Sequence, residues 1–429
     1  MSLALTVALI IFVLIFILRM PISIGMLVAG AFYFVIKGIS LDSVCDFVMN
    51  TYYTNYVIIA VPLFIFTANV MNSGKVTEKV FKFANALSGG RRGALGHVNV
   101  IASLVFSGMT GSAIADASGL GKMEIDAMKK EGYDDGFSCA ITAASATIGP
   151  IFPPSIPLVM YAMFANCSVG ALFLGGMVPA ILIAIVLMIY VSIMAHLRNY
   201  PRAGRTPWKL FLAETLGAIP SLLTPVILLA GIYTGVMTPT EAGAIAGLYA
   251  IIISFFVYKA LSWEGLWKII KETVASTGSV SLMIGAASVI SYIVAREQIA
   301  NNLGAYIIGL NLGKVGFLII VNIIILILGM FMDTSTIQLV FVPILIPVAA
   351  ALGIDLVHFG LVVTLNMMIG LSTPPFGMLL FITANISDTP LSKVMKEILI
   401  PIIFLLAVLA FITFVPNSVL FLPKALGMI

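Results

Sequence analysis

Two tracts of small hydroxyl residues and glycine interrupt apolar runs: Ser107-Gly108-Met109-Thr110-Gly111-Ser112 and Gly329-Met330-Phe331-Met332-Asp333-Thr334-Ser335-Thr336. Hydroxyls, backbone carbonyls and a carboxylate are hard oxygen donors. They suit an alkali or alkaline-earth cation, not zinc or copper. An acidic group such as Asp333 is expensive in apolar surroundings and is usually kept there for function. One sodium site per tract is therefore expected. The plainer reading of any single serine is that it lets helices pack closely.

Gly-Pro and Pro-Pro pairs at Gly149-Pro150, Pro153-Pro154 and Pro374-Pro375 fall inside other apolar runs. Proline removes a backbone donor and clashes with the preceding turn, so each run should split into two half-helices. The freed carbonyls and amides are tolerable only where protein or a cavity receives them. Arg296, which ends the run Gly278 to Ala295, could hold a substrate carboxylate through a bidentate pair; it could equally pair with Glu297 or reach an interface. Asp116 and Ser107, beside the first tract, are the other substrate-binding candidates. His97, His196 and His358 lack ligand spacing, and neither HExxH nor GxSxG occurs. Gly309-Leu310-Asn311-Leu312-Gly313-Lys314 is one residue short of a phosphate loop, so neither an enzyme nor an ATP-driven machine is expected.

The elements that must position these groups follow from composition. With 61% hydrophobic and 9% charged residues and a mean hydropathy of +1.15, most of the chain has lipid as its solvent. The continuous apolar runs lack the alternation of barrel strands, so the fold is read as an all-α integral membrane protein. A net charge of +4 lies in clusters beside apolar runs, which favours membrane orientation over nucleic-acid binding. Cys45, Cys139 and Cys167 suggest no disulfide framework.

Basic clusters at Lys75 to Arg92, Lys122 to Lys130, Arg198 to Lys209, Lys259 to Lys271, and Lys393 with Lys396 should be cytoplasmic. Ten crossings then fit between them, at 2–18, 21–36, 57–71, 137–165, 171–197, 212–236, 240–258, 274–294, 358–386 and 397–414, with both termini outside. The stretches 97–121 and 315–350 must enter and leave on one side, as re-entrant hairpins. The segment 75–90 reads as an amphipathic helix along the interface.

The sequence also repeats at an offset of 369 − 148 = 221, with ten identities between Gly108–Leu158 and its image, five of them at Gly or Pro. Charge follows the first hairpin (Lys122 to Asp135) but barely the second, and five crossings separate the two. The copies should therefore be inverted, as in many secondary transporters. Each would carry a re-entrant hairpin and a broken helix (137–165 and 358–386). The expected division is scaffold 1–56, transport 57–167, scaffold and cytoplasmic arm 168–270, transport 271–389, and a scaffold helix in 390–429.

Ser107 to Ser112, Ala143 to Pro150 with Pro153-Pro154-Ser155, Thr373-Pro374-Pro375 and Val61 to Phe66 together resemble the large subunit of tripartite ATP-independent periplasmic (TRAP) transporters. The likeness covers nearly the whole chain and is nearest to the sialic-acid branch. It implies a sodium-coupled elevator in a bacterial inner membrane. It also implies a small four-helix membrane subunit, a periplasmic substrate-binding protein and a carboxylate-bearing organic acid as cargo. Carried over by position, one sodium falls at Thr110, Ser112, Gly149, Phe152 and Pro154. The other falls at Gly329, Met332, Asp333, Thr373 and Phe376. Sodium is the coupling ion and no cofactor is expected. The competing readings are a self-sufficient dicarboxylate or anion symporter of the same plan, and a pore or membrane scaffold.

Overall fold

The computed structural model describes residues 2–18, 20–72, 75–202, 204, 206–299, 302 and 313–429. Among them all regular structure is helical, apart from one antiparallel bridge between Arg92 and Arg202. The chain opens with α1 (Leu3–Ile17), α2 (Ile22–Ile36), α3 (Asp42–Thr54) and α4 (Ala60–Met71), the last two meeting at a 76° bend. Next comes α5 (Lys75–Ser88), which buries Val76, Val80 and Ala84 and leaves Lys75, Glu78 and Lys82 exposed, the expected amphipathic pattern.

The first hairpin is α6 (Ala94–Thr110) returning through α7 (Ala113–Gly119) and α8 (Gly121–Lys130). Gly93 and Gly111, with φ of 70° and 59°, bracket α6 in left-handed backbone that glycine adopts without a steric penalty. The broken helix follows as α9 (Asp135–Ser145), a short 3₁₀ turn, an irregular stretch through the prolines, and α10 (Ile156–Ala165). Ser155 caps α10 by accepting the Leu158 amide at 3.1 Å, so an amide released by the break regains a partner.

Among the described residues four helices lie between the halves: α11 (Val169–Leu197), α12 (Trp208–Tyr233), α13 (Pro239–Ile252), prolonged by a π-turn to Val257, and α14 (Trp263–Arg296). Thr238 and Glu241 form a capping box at the start of α13. The second hairpin is α15 (Gly313–Phe331), α16 (Thr334–Val340) and α17 (Val342–Ala351). Its broken helix is α18 (Leu356–Leu371) and α19 (Met378–Ile386). The chain closes with α20 (Leu391–Glu397), α21 (Leu399–Phe414) and α22 (Asn417–Ala425).

The sequence offset of 221 carries into the elements. Adding it to α7 and α8 gives the bounds of α16 and α17, and adding it to α6, α9 and α10 lands on α15, α18 and α19. The two units interlock reciprocally. In the first, α10 packs on the other unit's hairpin and broken helix (α16, α17 and α18), while α19 packs on α7, α8 and α9. Neither unit buries its half-helices without its twin. Around them, α11 packs against α6, α18, α21 and α22, and α14 against α2, α3 and α4.

Several expectations change in detail. The first hairpin runs to Lys130, not 121, because its charged end, Lys122 to Lys130, is helical and buries Glu124, Ile125 and Met128. The helix expected at 274–294 begins eleven residues earlier at Trp263, so it carries Lys268 and Lys271 of the basic cluster within its first turns, while Lys259 precedes it. α3 and α22 were not anticipated.

Among the described residues five helices are long and apolar enough to cross a bilayer singly, and up to eight spans result if each of three bent pairs counts as one. One of the five is α15, the first arm of the second hairpin, which was expected to turn back. Its return arm, α16 with α17, is bent by 53°. Most of the near phosphate-loop sequence, 309–312, lies outside the described residues, as do Ala203 and Arg205 of the basic arm.

Candidate functional site

Each hairpin tip faces the break of its own repeat. At the first, a Cβ on Gly111 would lie 2.3 Å from the Pro154 carbonyl oxygen, and one on Gly149 would lie 3.3 Å from the Ser112 carbonyl. Tip and break therefore touch backbone to backbone, the approach that small residues allow. At the second, the Gly377 amide donates to the Met330 carbonyl at 3.2 Å, and Gly329 sits against Gly370 so closely that a Cβ would come 2.9 Å from the Gly370 Cα.

The tips end in matched caps. Ser112 accepts the Ala115 amide at 3.4 Å at the start of α7, and Asp333, its twin, accepts the Thr336 amide at 3.1 Å at the start of α16. Asp333 also accepts the Thr336 hydroxyl. A carboxylate at a helix N-terminus gains from the aligned peptide dipoles as well as from the hydrogen bond.

Both tips open on one cavity of about 490 Å³. Thr110, Ser112 and Pro150 come from the first repeat; Asp333, Thr334 and Ser335 come from the second. Asn69 on α4, Asn72 at its C-terminal cap, Ser118 on α7 and Ser276 on α14 complete the polar lining. A space of this size, lined by apolar surface with a few convergent polar groups, is typical of small-ligand sites.

The sequence candidates divide among different places. Thr110, Ser112 and Asp333 line the cavity. Gly149, Phe152 and Pro154 stand behind the first tip, with the Phe152 ring 3.5 Å from where a Gly108 Cβ would be. Gly329, Met332 and Phe376 line a separate recess of about 240 Å³ behind the second tip. Thr373 is buried outside that recess, its hydroxyl donating to the Ile369 carbonyl at 2.7 Å.

The three substrate-binding candidates do not line the cavity. Ser107 is buried and donates to the Leu104 carbonyl at 2.6 Å. Asp116 is buried inside the first hairpin. Arg296 is exposed at the end of α14, bonded to the Tyr292 hydroxyl, while Glu297 pairs with Lys37 at 2.8 Å. The cavity meets α14 at Ser276 and Val280. Sixteen further residues carry Arg296 about 24 Å along the axis. The histidines bond locally, His97 to Ser192 and His358 to the Ile412 carbonyl.

Asn69 and Asn72 were missed. Their signal was two amides three residues apart at the end of the apolar helix after Val61-Pro62-Leu63, a spacing that a helical count puts on one face.

A family model described as the DctM component of tripartite ATP-independent periplasmic transporters matches residues 9–418. Over 373 residues, 86% of this chain and 87% of the relative, the chain is 44% identical to the sialic acid TRAP transporter large permease protein SiaM of Vibrio cholerae. It is 36% identical over 391 residues, covering 91% and 92%, to the C4-dicarboxylate TRAP transporter large permease protein DctM of Pseudomonas aeruginosa. A crystal structure of the Alcanivorax borkumensis YdaH transporter shares the fold with a TM-score of 0.62 at 12% identity, over 86% of this chain and 87% of that one. With matched hairpins, matched helix breaks and a shared cavity already in place, these likenesses settle the family: the chain belongs to the DctM components of tripartite ATP-independent periplasmic transporters, the multi-pass inner-membrane large permeases.

Proposed function

We propose that this chain is the large membrane subunit of a sodium-coupled importer of a carboxylate-bearing organic acid, N-acetylneuraminate foremost. In this reading a periplasmic protein captures the acid and a small four-helix subunit completes the membrane unit. The observation that carries it is the convergence of two matched tips, Ser112 and Asp333, on one cavity. A carboxylate ligand and cations held at the tips would neutralise one another. The 44% identity to a sialic acid permease supports the choice of acid.

The reciprocal packing of the two repeats supports an inverted arrangement moving as one body against the scaffold, an elevator. Residues 57–167 and 271–389 would move, and the remaining segments would hold. α14 spans the boundary at 270/271, so the hinge on that side lies within or beside a continuous helix.

The test is uptake into proteoliposomes holding this chain with the small subunit and the capture protein, under imposed sodium gradients. Accumulation of N-acetylneuraminate that needs sodium and both partners is expected. Accumulation of a C4-dicarboxylate instead would favour the second reading, which the 36% identity to DctM supports. Uptake by the chain alone would point to a self-sufficient symporter, and dissipation without accumulation to a pore.

A further inference from the structure

Among the described residues the wall of the cavity between the tips holds one carboxylate, Asp333, and no lysine, arginine or histidine. What α4 brings to that wall is neutral and polar: the carboxamides of Asn69 and Asn72. A carboxamide carries two N–H donors and an oxygen acceptor, the partners that a hydroxyl or amide of a solute needs once it leaves water. A second carboxylate on the solute would find no basic side chain to meet it.

Both amides are held in place by neighbouring elements. Asn69 donates from Nδ2 to the Thr273 hydroxyl on α14 at 3.0 Å. One N–H is spent there; the other N–H and the oxygen are what the residue can offer to the cavity. Asn72, three residues on, lies against Gly119 on α7, where a Cβ would come within 2.5 Å of Oδ1 and 3.3 Å of Nδ2. Room for this amide exists because residue 119 has no side chain. Asn69 and Asn72 are both half-buried.

The second repeat has the same packing without the amides. At the offset of 221, Asn69, Asn72 and Gly119 correspond to Ile290, Ile293 and Val340. Ile293 on α14 and Val340 on α16 are 3% and 7% exposed, and their two helices pack together. Aliphatic burial serves the corresponding helices there, so packing alone does not call for carboxamides. In the first repeat a glycine makes way for a polar group instead, and that group lines the cavity.

We propose, resting on the reading of the chain as an organic-acid carrier, that Asn69 and Asn72 are specificity-determining residues which read the uncharged hydroxyl and acetamido groups of the cargo. A polyhydroxylated monocarboxylate gains these contacts. A C4-dicarboxylate sets a second charge against two amides and the apolar surface of Ile65 and Ala68. Sites built to hydrogen-bond a ligand discriminate well, because an analogue without the matching group leaves the protein's own polar atoms unpaired.

The test uses the membrane complex of this chain and the small subunit, in lipid nanodiscs with sodium and without the capture protein, whose own selectivity then does not enter. Radiolabelled N-acetylneuraminate is bound and displaced by unlabelled N-acetylneuraminate, by pyruvate, which has a carboxylate and no hydroxyl, or by succinate. N-acetylneuraminate should displace best from the wild type. Asn69→Leu and Asn72→Leu keep the approximate shape of the side chain and remove its polar atoms. Each should raise the concentration of N-acetylneuraminate required by roughly 3- to 10-fold, the worth of a neutral hydrogen bond, and leave that of pyruvate unchanged. Size-exclusion profiles and thermal transitions check folding, and Asn69→Ala or Asn72→Ala replaces a leucine variant that does not fold.

Variants that bind N-acetylneuraminate as the wild type does would overturn the inference and leave the carrier reading standing. So would an equal loss for both monocarboxylates, the result of a purely structural role. Succinate displacing better than N-acetylneuraminate from the wild type would overturn the inference and the choice of acid together. No binding of N-acetylneuraminate by the wild-type complex would also sink the inference, while uptake with both partners would still judge the carrier on its own.

Discussion

The two hairpins share a frame and differ in what fills it. The first closes around Asp116, Glu124 and Asn99; the second puts Ile337, Leu345 and Ile320 in those positions. Their tips differ in the opposite sense, with neutral Ser112 in the first and ionisable Asp333 in the second. Charge has thus been moved between tip and interior without changing the helix bounds. Backbone geometry is what duplication preserves here, and the chemistry has been free to diverge on it.

The harshest way to break this comparison is to give the second hairpin the first one's acid. Ile337 is fully buried and has no Asn99 or Glu124 counterpart beside it. Ile337→Asp should therefore lose on the order of 3 kcal/mol or more of stability, from an uncompensated buried charge. Little folded protein should be recovered from membranes, as measured by detergent-resistant fluorescence size-exclusion yield; a normal yield would mean that the second interior is wetter than its packing suggests.

A smaller effect separates the tips. Asp333→Ala removes a charged cap facing the cavity, and sodium affinity of uptake should drop by roughly 10- to 100-fold, the worth of a hydrogen bond to a charged group. Ser112→Ala, at the twin neutral cap, should cost less in the same sodium titration. Equal losses would erase the distinction between the tips.

Gly111 and its twin Met332 offer a backbone version. Gly111→Ala meets the Pro154 carbonyl and a positive φ, and should lower the thermal transition by about 1–3 kcal/mol equivalent, whereas Met332→Ala meets neither obstacle.

The mildest test uses Asp134 and Asp355, equivalent residues at the start of each broken helix. Asp355 caps α18 by accepting the Val357 and His358 amides at 2.8 and 3.2 Å, so Asp355→Ala should cost about 1 kcal/mol. Asp134 caps nothing; it accepts from Tyr200 at 2.7 Å and Arg198 at 2.8 Å, and these partners hold its carboxyl below the usual carboxylate range. Because that lowered value belongs to the folded state, the contribution is present at neutral pH and is lost as pH falls through it. Asp134→Asn should change stability by a few tenths of a kcal/mol at pH 7, as exposed pairs do, and by less in acid.

Much of this plan was legible in the sequence because it is written in proline and glycine. Pro153-Pro154 and Pro374-Pro375 located both helix breaks, and Gly108 and Gly329 located the tips, since backbone geometry limits what can replace them. The return arm of the first hairpin was cut short because Lys122 to Lys130 looks like a loop by charge alone, though its apolar residues recur at helical spacing. The interior cluster was hidden for another reason. Asn99, Glu124 and Ser145 are far apart in the chain and meet only through tertiary packing. Arg296 was drawn to the cavity by its chemistry, and the length of α14 carries it elsewhere.

The contact between Gly329 and Gly370 has one more consequence. A Cβ on either residue would press on the main chain of the other, so the second hairpin and its broken helix share a seam with no side chain to act as a bearing. Surfaces joined in that way do not glide or roll on each other. Should the proposed elevator motion occur, these two pieces would travel as a single casting, and its slip plane would lie at some other boundary.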